Sequence, residues 1–308
     1  MFKQGDNIHM GYLFLAAALF TGATKGFCGK KTSAYIQGFK DSIIANFIRM
    51  LLCIAIGFVM ASMQSGIRSL FIDSKTLFIS ILSGVSTAAF VILWLVCVKN
   101  GSYMVLDVFL TLGIIFTTVL CSITFGEEIR LNQYLGFVLL LVSTVIMCSY
   151  SNSSVSRMTI KSFLLLLFTG LANGLTGFSQ KLFVYSGSQA TSAVFNLYTY
   201  IFASVTMLLC MMLLKQESTT SGKNSIVLLI KSVIRYIVIM AICLFANSYF
   251  MTLAAGKLDS AMMYPLNSGA ALILTSLMAV VFFKEKLTLK CIAGLILTFV
   301  SLLVINLL

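Results

Sequence analysis

The chain of 308 residues is 59% hydrophobic and only 10% charged, and its mean hydropathy is +1.03. Soluble domains carry about 25% charged residues, so this composition excludes a soluble fold. The net charge of +12 does not indicate a nucleic-acid partner, because the basic residues lie mostly in short stretches between apolar runs, as in membrane-protein loops.

Ten apolar runs are long enough to be spanning helices, which need about 20 largely apolar residues. In chain order they are 11–30, 42–63, 77–98, 102–124, 131–150, 161–182, 190–214, 235–255, 260–283 and 289–308. The amphipathic stretch 225–235 is expected to lie along the interface before the eighth span. Pro265 falls inside the ninth run, where a proline removes a backbone hydrogen bond and is expected to kink the helix.

The second half of the sequence repeats the first. An offset of 158 residues aligns 99–143 with 257–301, and 12 of these 45 positions are identical. Polar and glycine matches carry most weight; they pair Lys99 with Lys257, Ser102 with Ser260, Thr117 with Thr275, Glu127 with Glu285, Gly136 with Gly294 and Ser143 with Ser301. A shorter offset of 148 aligns Gly22 and Gly26 with Gly170 and Gly174.

Each copy of the repeat holds five spans, and because five is odd the second copy must enter the membrane from the opposite side. The sequence therefore predicts an all-α polytopic membrane protein with about ten transmembrane helices in two inverted five-helix repeats, 1–152 and 153–308. Inverted repeats are a common design of secondary transporters. A duplication kept only for stability is the alternative.

Two helix–loop–helix passages, 125–136 and 283–294, place a glutamate shortly after a long apolar helix and a glycine nine residues later. They resemble the signature that ends each half of EamA-type members of the drug/metabolite transporter superfamily. Arg49 and the small residues near Gly22 suit the same pattern, whereas the fourth span lacks the proline often found there. The resemblance implies a secondary carrier whose cavity is lined by the first, third and fourth helices of each half.

Two charged residues inside predicted spans are the first candidates for a site. Asp107 is the only carboxylate within a span, and Lys25 lies within the first span. Charges in a membrane usually line a cavity or pair. Both lie about five residues, roughly 7 Å, from helix ends on the same side. We expect an ion pair or a dipolar site for a zwitterion; independent snorkelling to the surface is the alternative.

Other polar side chains within the spans are candidates for the same substrate cavity. They are Trp94, Asn173, Asn247, Tyr264, Asn267 and Ser268. Asn173 occupies the repeat position of Lys25, and Pro265 occupies that of Asp107. Polar groups in a membrane must face protein, water or ligand. Helix packing is the alternative for this set, and an interfacial position is the alternative for Trp94.

The GxxxG spacings of Gly22 with Gly26 and of Gly170 with Gly174 allow helix backbones to approach closely. We interpret these glycines as packing positions, and a hinge role is the alternative.

Two acidic residues follow apolar helices, Glu127 near Arg130 and Glu285 near Lys286. They are interpreted as exposed loop charges or helix caps, and Lys181 is counted with the loop cations.

No enzyme, cofactor or metal is expected, since the one histidine is His9, the eight cysteines form no CxxC pair, and P-loop, GxSxG and HExxH motifs do not occur. These features predict a multi-pass plasma-membrane transporter, an exporter of a small organic metabolite such as an amino acid, driven by the substrate gradient or by a coupled proton carried on Asp107. A membrane enzyme, a channel or regulatory subunit, and a multidrug or nucleotide-sugar carrier are the alternatives.

Overall fold

The computed structural model describes residues 2–66, 70–100, 103–148, 160–213, 223–284 and 289–307. These ranges contain ten α-helices and no strand. They are α1 (Phe2–Ser33), α2 (Phe39–Ser65), α3 (Ser74–Asn100), α4 (Tyr103–Phe125), α5 (Leu131–Cys148), α6 (Ile160–Tyr185), α7 (Ser192–Leu213), α8 (Lys223–Ala255), α9 (Ser260–Phe283) and α10 (Leu289–Leu307). The predicted all-helical fold is confirmed, and each predicted span falls on one helix.

The lengths and surfaces of the helices fit a lipid bilayer. Seven of the described helices, α1 to α3 and α6 to α9, are long and apolar enough to cross a membrane, and the other three contain shorter apolar stretches. Large apolar side chains are widely exposed; Phe20, Ile123 and Met63 are 74%, 77% and 80% exposed. Monomeric soluble proteins rarely expose such extended apolar surfaces. The chain is therefore an integral, multi-pass membrane protein.

Helix α8 differs from its prediction. The pattern predicts an interfacial segment at 225–235 before the eighth span, whereas Lys223–Ala255 forms one continuous helix of 33 residues. This segment holds no glycine or proline, so nothing in its sequence breaks the backbone ladder where Arg235 marks the predicted start.

Helices α5 and α10 pack side by side through two serines. Ser143 Oγ donates a hydrogen bond to the carbonyl of Gly294 at 2.6 Å, and Ser301 Oγ donates one to the carbonyl of Gly136 at 2.7 Å. A side chain at Gly136 would collide with Ile305, so the glycine allows this close approach. The offset of 158 exchanges the two hydrogen bonds, and contacts across a two-fold axis are reciprocal in this way.

Helices α4 and α6 cross with their backbones in direct contact. A Cβ atom on Gly113 would overlap the carbonyl of Gly170, and one on Gly174 would overlap the carbonyl of Gly113. Thr117 Oγ1 donates a hydrogen bond to the carbonyl of Gly174 at 2.7 Å. The second GxxxG pair therefore allows close backbone approach as predicted, with Gly113 as its partner.

The bundle has two ends, which frame the site. At the first, the Glu127 end, α4 and α6 end and α9 begins, and Glu127 contacts both Lys181 and Ser260. At the second, the Phe283 end, α1 and α9 end together. There the ring of Phe283 lies 5.3 Å from the Lys31 ammonium.

Candidate functional site

A cavity of about 150 Å³ lies inside the bundle, and residues of α1 to α4, α6, α8 and α9 form its wall. The helices that the family resemblance implies, the first, third and fourth of each half, all contribute, and α2 joins them. A cavity of this size holds on the order of ten water molecules, so the interior of the bundle is not filled by side chains.

The polar part of the wall contains most of the side chains that the sequence singles out. It is formed by Lys25, Arg49, Trp94, Asn173, Asn247, Asn267, Ser268 and Thr275. Six of the eight predicted substrate residues are thus brought together from five helices. Their role in binding stays a prediction.

Lys25 lies deeper in the bundle than predicted. Helix α1 continues to Ser33, eight residues beyond Lys25, which places the lysine about 12 Å from the helix end. Its Nζ lies 6.0 Å from the centroid of the Phe90 ring, and both residues belong to the cavity wall. Independent snorkelling to the surface is therefore not what the structure displays.

The side chain of Asp107 lies outside the described residues. Its backbone belongs to α4, four residues after Tyr103 and about 6 Å from the helix start. The predicted distance of roughly 7 Å from a helix end is close to the value for Asp107 but too short for Lys25, because α1 ends later than the hydropathy pattern indicates. Their predicted pairing stays a prediction.

Arg49 is a cavity residue that the predicted site lacks. It follows the start of α2 by ten residues, about 15 Å, and is only 3% exposed. Its Nε has no hydrogen-bond partner among the described atoms. A signal was available, since Arg49 is a charge inside a predicted span and meets the same criterion that selects Asp107 and Lys25.

Asn247 of α8 belongs to the cavity wall, and its side chain lies next to Gly22 of α1. Its Nδ2 donates a hydrogen bond to the carbonyl of Ala18 at 2.7 Å. A Cβ atom on Gly22 would lie 3.1 Å from that Nδ2, so the glycine leaves room for the amide. Gly22 and Gly26 both belong to the wall, so this GxxxG pair borders the cavity and differs from the pair on α6.

Trp94 lies inside the bundle and not in an interfacial belt. It is 8% exposed, and a side chain on Gly29 would collide with its six-membered ring. The glycine thus allows the indole to pack closely against α1. Because Trp94 is the single tryptophan of the chain, its fluorescence reports on the cavity directly.

Tyr264 is predicted to bind substrate, but the structure does not place it in the described cavity wall. It is buried outside the described cavity wall, and its hydroxyl donates a hydrogen bond to the carbonyl of Gly177 at 2.6 Å. This contact joins α9 to α6, so the hydroxyl serves helix packing, the alternative named for it. Pro265 lies inside α9 as predicted.

A buried ion pair lies at the Glu127 end. Lys181 Nζ is 2.9 Å from Glu127 Oε1, and the two side chains are only 2% and 9% exposed. The lysine also donates a hydrogen bond to the carbonyl of Leu258 at 2.8 Å. The predictions of an exposed Glu127 and of Lys181 as a loop cation are wrong, because Lys181 lies within α6 and turns towards the carboxylate.

The environment of Glu127 favours its charged form. The backbone N–H of Ser260, at the positive start of α9, donates to Oε2 at 2.9 Å, and the hydroxyl of Tyr185 donates to Oε1 at 3.0 Å. Burial raises the pKa of Glu127, but the hydrogen bond and charge of Lys181, with the contribution of Ser260, outweigh it and hold the pKa below its usual value. The carboxylate is a cap for α9 as well as an ion-pair partner.

Comparisons with known proteins bear on the first half of the chain and on the whole fold. The model of the EamA-like transporter family matches residues 9–149. A solved structure described as "Crystal structure of protein" is 14% identical, with a TM-score of 0.71 over 97% of this chain and 98% of that chain. At this identity the likeness shows the fold alone. No curated protein matches the sequence.

The fold is that of a polytopic all-helical membrane protein, and the family whose model matches the first half of the chain consists of transporters, not enzymes. Residues 9–149 match the EamA-like transporter family, a family of the drug/metabolite transporter superfamily, and this match confirms the resemblance drawn from the helix–loop–helix passages. A transporter family of this kind implies a small-molecule substrate and a lipid environment.

Proposed function

We propose that this protein is a secondary active transporter that exports a small organic metabolite, such as an amino acid or a related amphiphile, across the plasma membrane by alternating access. The observation that carries the proposal is the polar cavity of about 150 Å³ walled by helices of both predicted repeats. Charged and amide side chains inside a membrane face protein, water or a ligand. Secondary transporters hold their substrates at such an interface between repeats.

The contacts of α5 and α10 support the inverted arrangement of 1–152 and 153–308. Ser143 bonds to Gly294 as Ser301 bonds to Gly136, and the sequence offset exchanges the two contacts. Gly136 and Ser143 are seven residues, about 10 Å, apart along α5, so two such helices pointing in the same direction about a two-fold axis could not make both contacts, whereas antiparallel helices can. An inverted pair has two related conformations, open to opposite sides, which is the basis of alternating access.

The ion pair at the Glu127 end supports a conformation that is closed on that side. It joins the connection after α4, in the first predicted repeat, to Lys181 of α6 in the second. The two cavity cations lie nearer the Phe283 end. Lys25 is about 12 Å from the end of α1, and Arg49 is about 15 Å from the start of α2. We infer that substrate enters from the Phe283 end, and that release requires separation of Glu127 from Lys181.

The test of transport uses cells that express the full chain and purified protein in liposomes. Cells are given a metabolite mixture, and efflux and uptake are compared with those of cells expressing Asp107→Asn and of cells without the protein. A metabolite found in this way is then loaded into proteoliposomes. Saturable flux with counterflow is expected of a carrier, and a pH gradient that drives accumulation in the wild type but not in Asp107→Asn would support a coupled proton.

The same measurements separate the other classes. Chemical conversion of the metabolite by purified protein would favour a membrane enzyme. Flux that does not saturate and lacks counterflow would favour a channel. Either result contradicts the proposal.

The predicted coupling of Lys25 and Asp107 needs a separate test. Transport by Lys25→Asp and by Asp107→Lys is compared with that of the double exchange, which restores both charges in swapped positions. Recovery in the double variant is expected for a pair. Losses that simply add would show that the two residues act independently.

A further inference from the structure

One side of the cavity wall is positively charged. Lys25 of α1 and Arg49 of α2 both belong to the wall, and their charges repel each other. The described wall contains no aspartate or glutamate. The second predicted repeat contributes neutral hydrogen-bonding groups instead, among them Asn173 and Asn267. Among the residues that the structure describes, the cavity therefore has a cationic wall facing an uncharged polar one.

Arg49 is not satisfied by the protein groups that the structure describes. The residue is 97% buried, since its exposure is 3%, and its Nε has no hydrogen-bond partner among them. Lys25 has an aromatic neighbour, Phe90, only at 6.0 Å, which is the outer limit for a cation–π contact. Buried charges without a counter-charge are costly, and an anion in the cavity would provide a counter-charge for Lys25 and Arg49.

The chemistry of the two cations selects the kind of anion. A guanidinium binds a carboxylate or a phosphate in a forked geometry, and an ammonium adds a compact charge with three donors. The rest of the wall offers rings and aliphatic groups, including Trp94 and Leu110. An organic anion with an apolar part fits both the two cations and the apolar part of the wall.

We propose, building on the transport function above, that the cavity binds a small organic anion whose carboxylate or phosphate group lies between Lys25 and Arg49. Its apolar part lies against Phe90, Trp94 and Leu110. The amides of the opposite wall hydrogen-bond to its remaining polar groups.

The test measures the fluorescence of Trp94 in purified full-length protein held in lipid nanodiscs. The probes are benzoate, benzamide and benzylamine, which share one ring and differ in charge, and phenyl phosphate, which distinguishes phosphate from carboxylate recognition. Benzoate or phenyl phosphate is expected to change the fluorescence saturably. Benzamide is expected to bind about 10- to 100-fold more weakly, because it loses charge-assisted hydrogen bonds.

Variants locate the binding site within the protein. Lys25→Met and Arg49→Gln are expected to weaken anion binding at least about tenfold, whereas Lys25→Arg keeps the charge and the preference. Lys30→Gln is the matched control, because Lys30 lies on the same helix but outside the described wall. Lys25→Glu is expected to shift the preference from benzoate towards benzylamine, a gain that misfolding does not produce.

Two results would overturn the proposal. One is equal or tighter binding of benzamide or benzylamine than of both anions. The other is binding of the zwitterion phenylglycine at least tenfold tighter than benzoate, which would indicate a dipolar site that includes Asp107. Failure of the transport proposal looks different, since anion binding would then persist without counterflow in liposomes. Counterflow of neutral or cationic solutes alone would leave transport intact and refute the anionic substrate.

Discussion

Lys181 demonstrates how a charge becomes stable inside an apolar helix. Its ammonium has two acceptors, the Glu127 carboxylate at 2.9 Å and the Leu258 carbonyl at 2.8 Å, and its side chain is 2% exposed. Removal of one partner of a buried pair leaves the other charge uncompensated, which costs about 3–5 kcal/mol in typical cases. The ion pair is therefore a strong single contact between α6 and the segment that follows α4 at the Glu127 end.

Loss of either partner should destabilise the protein, and loss of both should cost less than the sum. We expect Glu127→Gln to lower the free energy of unfolding by about 3 kcal/mol, with Lys181→Met similar and a coupling of about 1–3 kcal/mol between them. Thermal unfolding in detergent would measure this. Glu128→Gln is the control, because Glu128 is exposed and adjacent. Additive single effects would mean that the two groups do not depend on each other.

The same carboxylate predicts a dependence of stability on pH. The folded state holds the pKa of Glu127 below its ordinary value near 4.5, so its stabilisation is complete above that value and is lost as the pH falls through the folded pKa. We expect the melting temperature of the wild type to fall more steeply below about pH 4.5 than that of Glu127→Gln. Parallel profiles for the two proteins would show that Glu127 does not titrate in this window.

At the scale of elements, the crossing of α4 and α6 depends on three glycines. Gly113 contacts Gly170 and Gly174 so closely that the backbones touch, and Thr117 closes the crossing with a hydrogen bond. Close approach through small residues is the main source of helix association in lipid, where apolar burial contributes little. These two helices are therefore fixed relative to each other by shape.

A single methyl group should disturb that crossing. Gly113→Ala is expected to lower the free energy of unfolding by about 1–3 kcal/mol, because the Cβ atom must displace the carbonyl of Gly170. Differential scanning fluorimetry would measure the change. Gly256→Ala is the matched control, since a Cβ there would lie at ordinary distances of 3.4 Å from Val184 and 3.6 Å from the carbonyl of Leu253. An equal effect at both positions would mean that the crossing relaxes without cost.

The helices were predictable, because runs of about 20 apolar residues have few other solutions in a membrane. Their ends were less predictable: α1 runs on to Ser33 through Lys31, which lies beyond the predicted span 11–30 but is a good helix former. The positions of cavity residues followed from the rule that charges and amides avoid lipid. That rule finds Lys25 and applies equally to Arg49.

Contacts between distant segments were not predictable from periodicity or composition. Lys181 lies in α6, 54 positions after Glu127, and no sequence pattern in either segment indicates that the two side chains are in contact. Tyr264 illustrates the same limit, because a tyrosine in a kinked helix suits a cavity as well as it suits the carbonyl of Gly177. Only the packing of α9 on α6 decides between them.

At the scale of the whole molecule, the cavity and the ion pair lie on different levels of one bundle. The Glu127 end is joined by Lys181, while Lys25 and Arg49 lie nearer the Phe283 end. In an alternating-access cycle the two ends open in turn. The distance between helices at one end of the bundle must then increase when the distance between helices at the other end decreases.

Spin labels at both ends should record this exchange. In a cysteine-free background, a pair at Phe71 and Asp259 reports on the Glu127 end, and a pair at Tyr35 and Lys161 on the Phe283 end; all four residues are exposed. A transported substrate is expected to lengthen the first distance and shorten the second, as measured by pulsed electron–electron double resonance.

Lys181→Met should shift the same two distances in the same directions without substrate. Labels at Tyr134 and Ile296, on α5 and α10, serve as the reference and should not move. Distances that stay constant at both ends during turnover would contradict alternating access.

The reciprocal serines of α5 and α10 have a consequence for ancestry. Gly136 and Ser143 are seven residues apart, so they lie on one face of one helix. A single five-helix chain with this glycine and serine would satisfy both hydrogen bonds simply by pairing with an identical chain inserted upside down. Fusion of two such genes would then have preserved a contact that already existed between separate subunits, and would have freed the cavity walls to diverge.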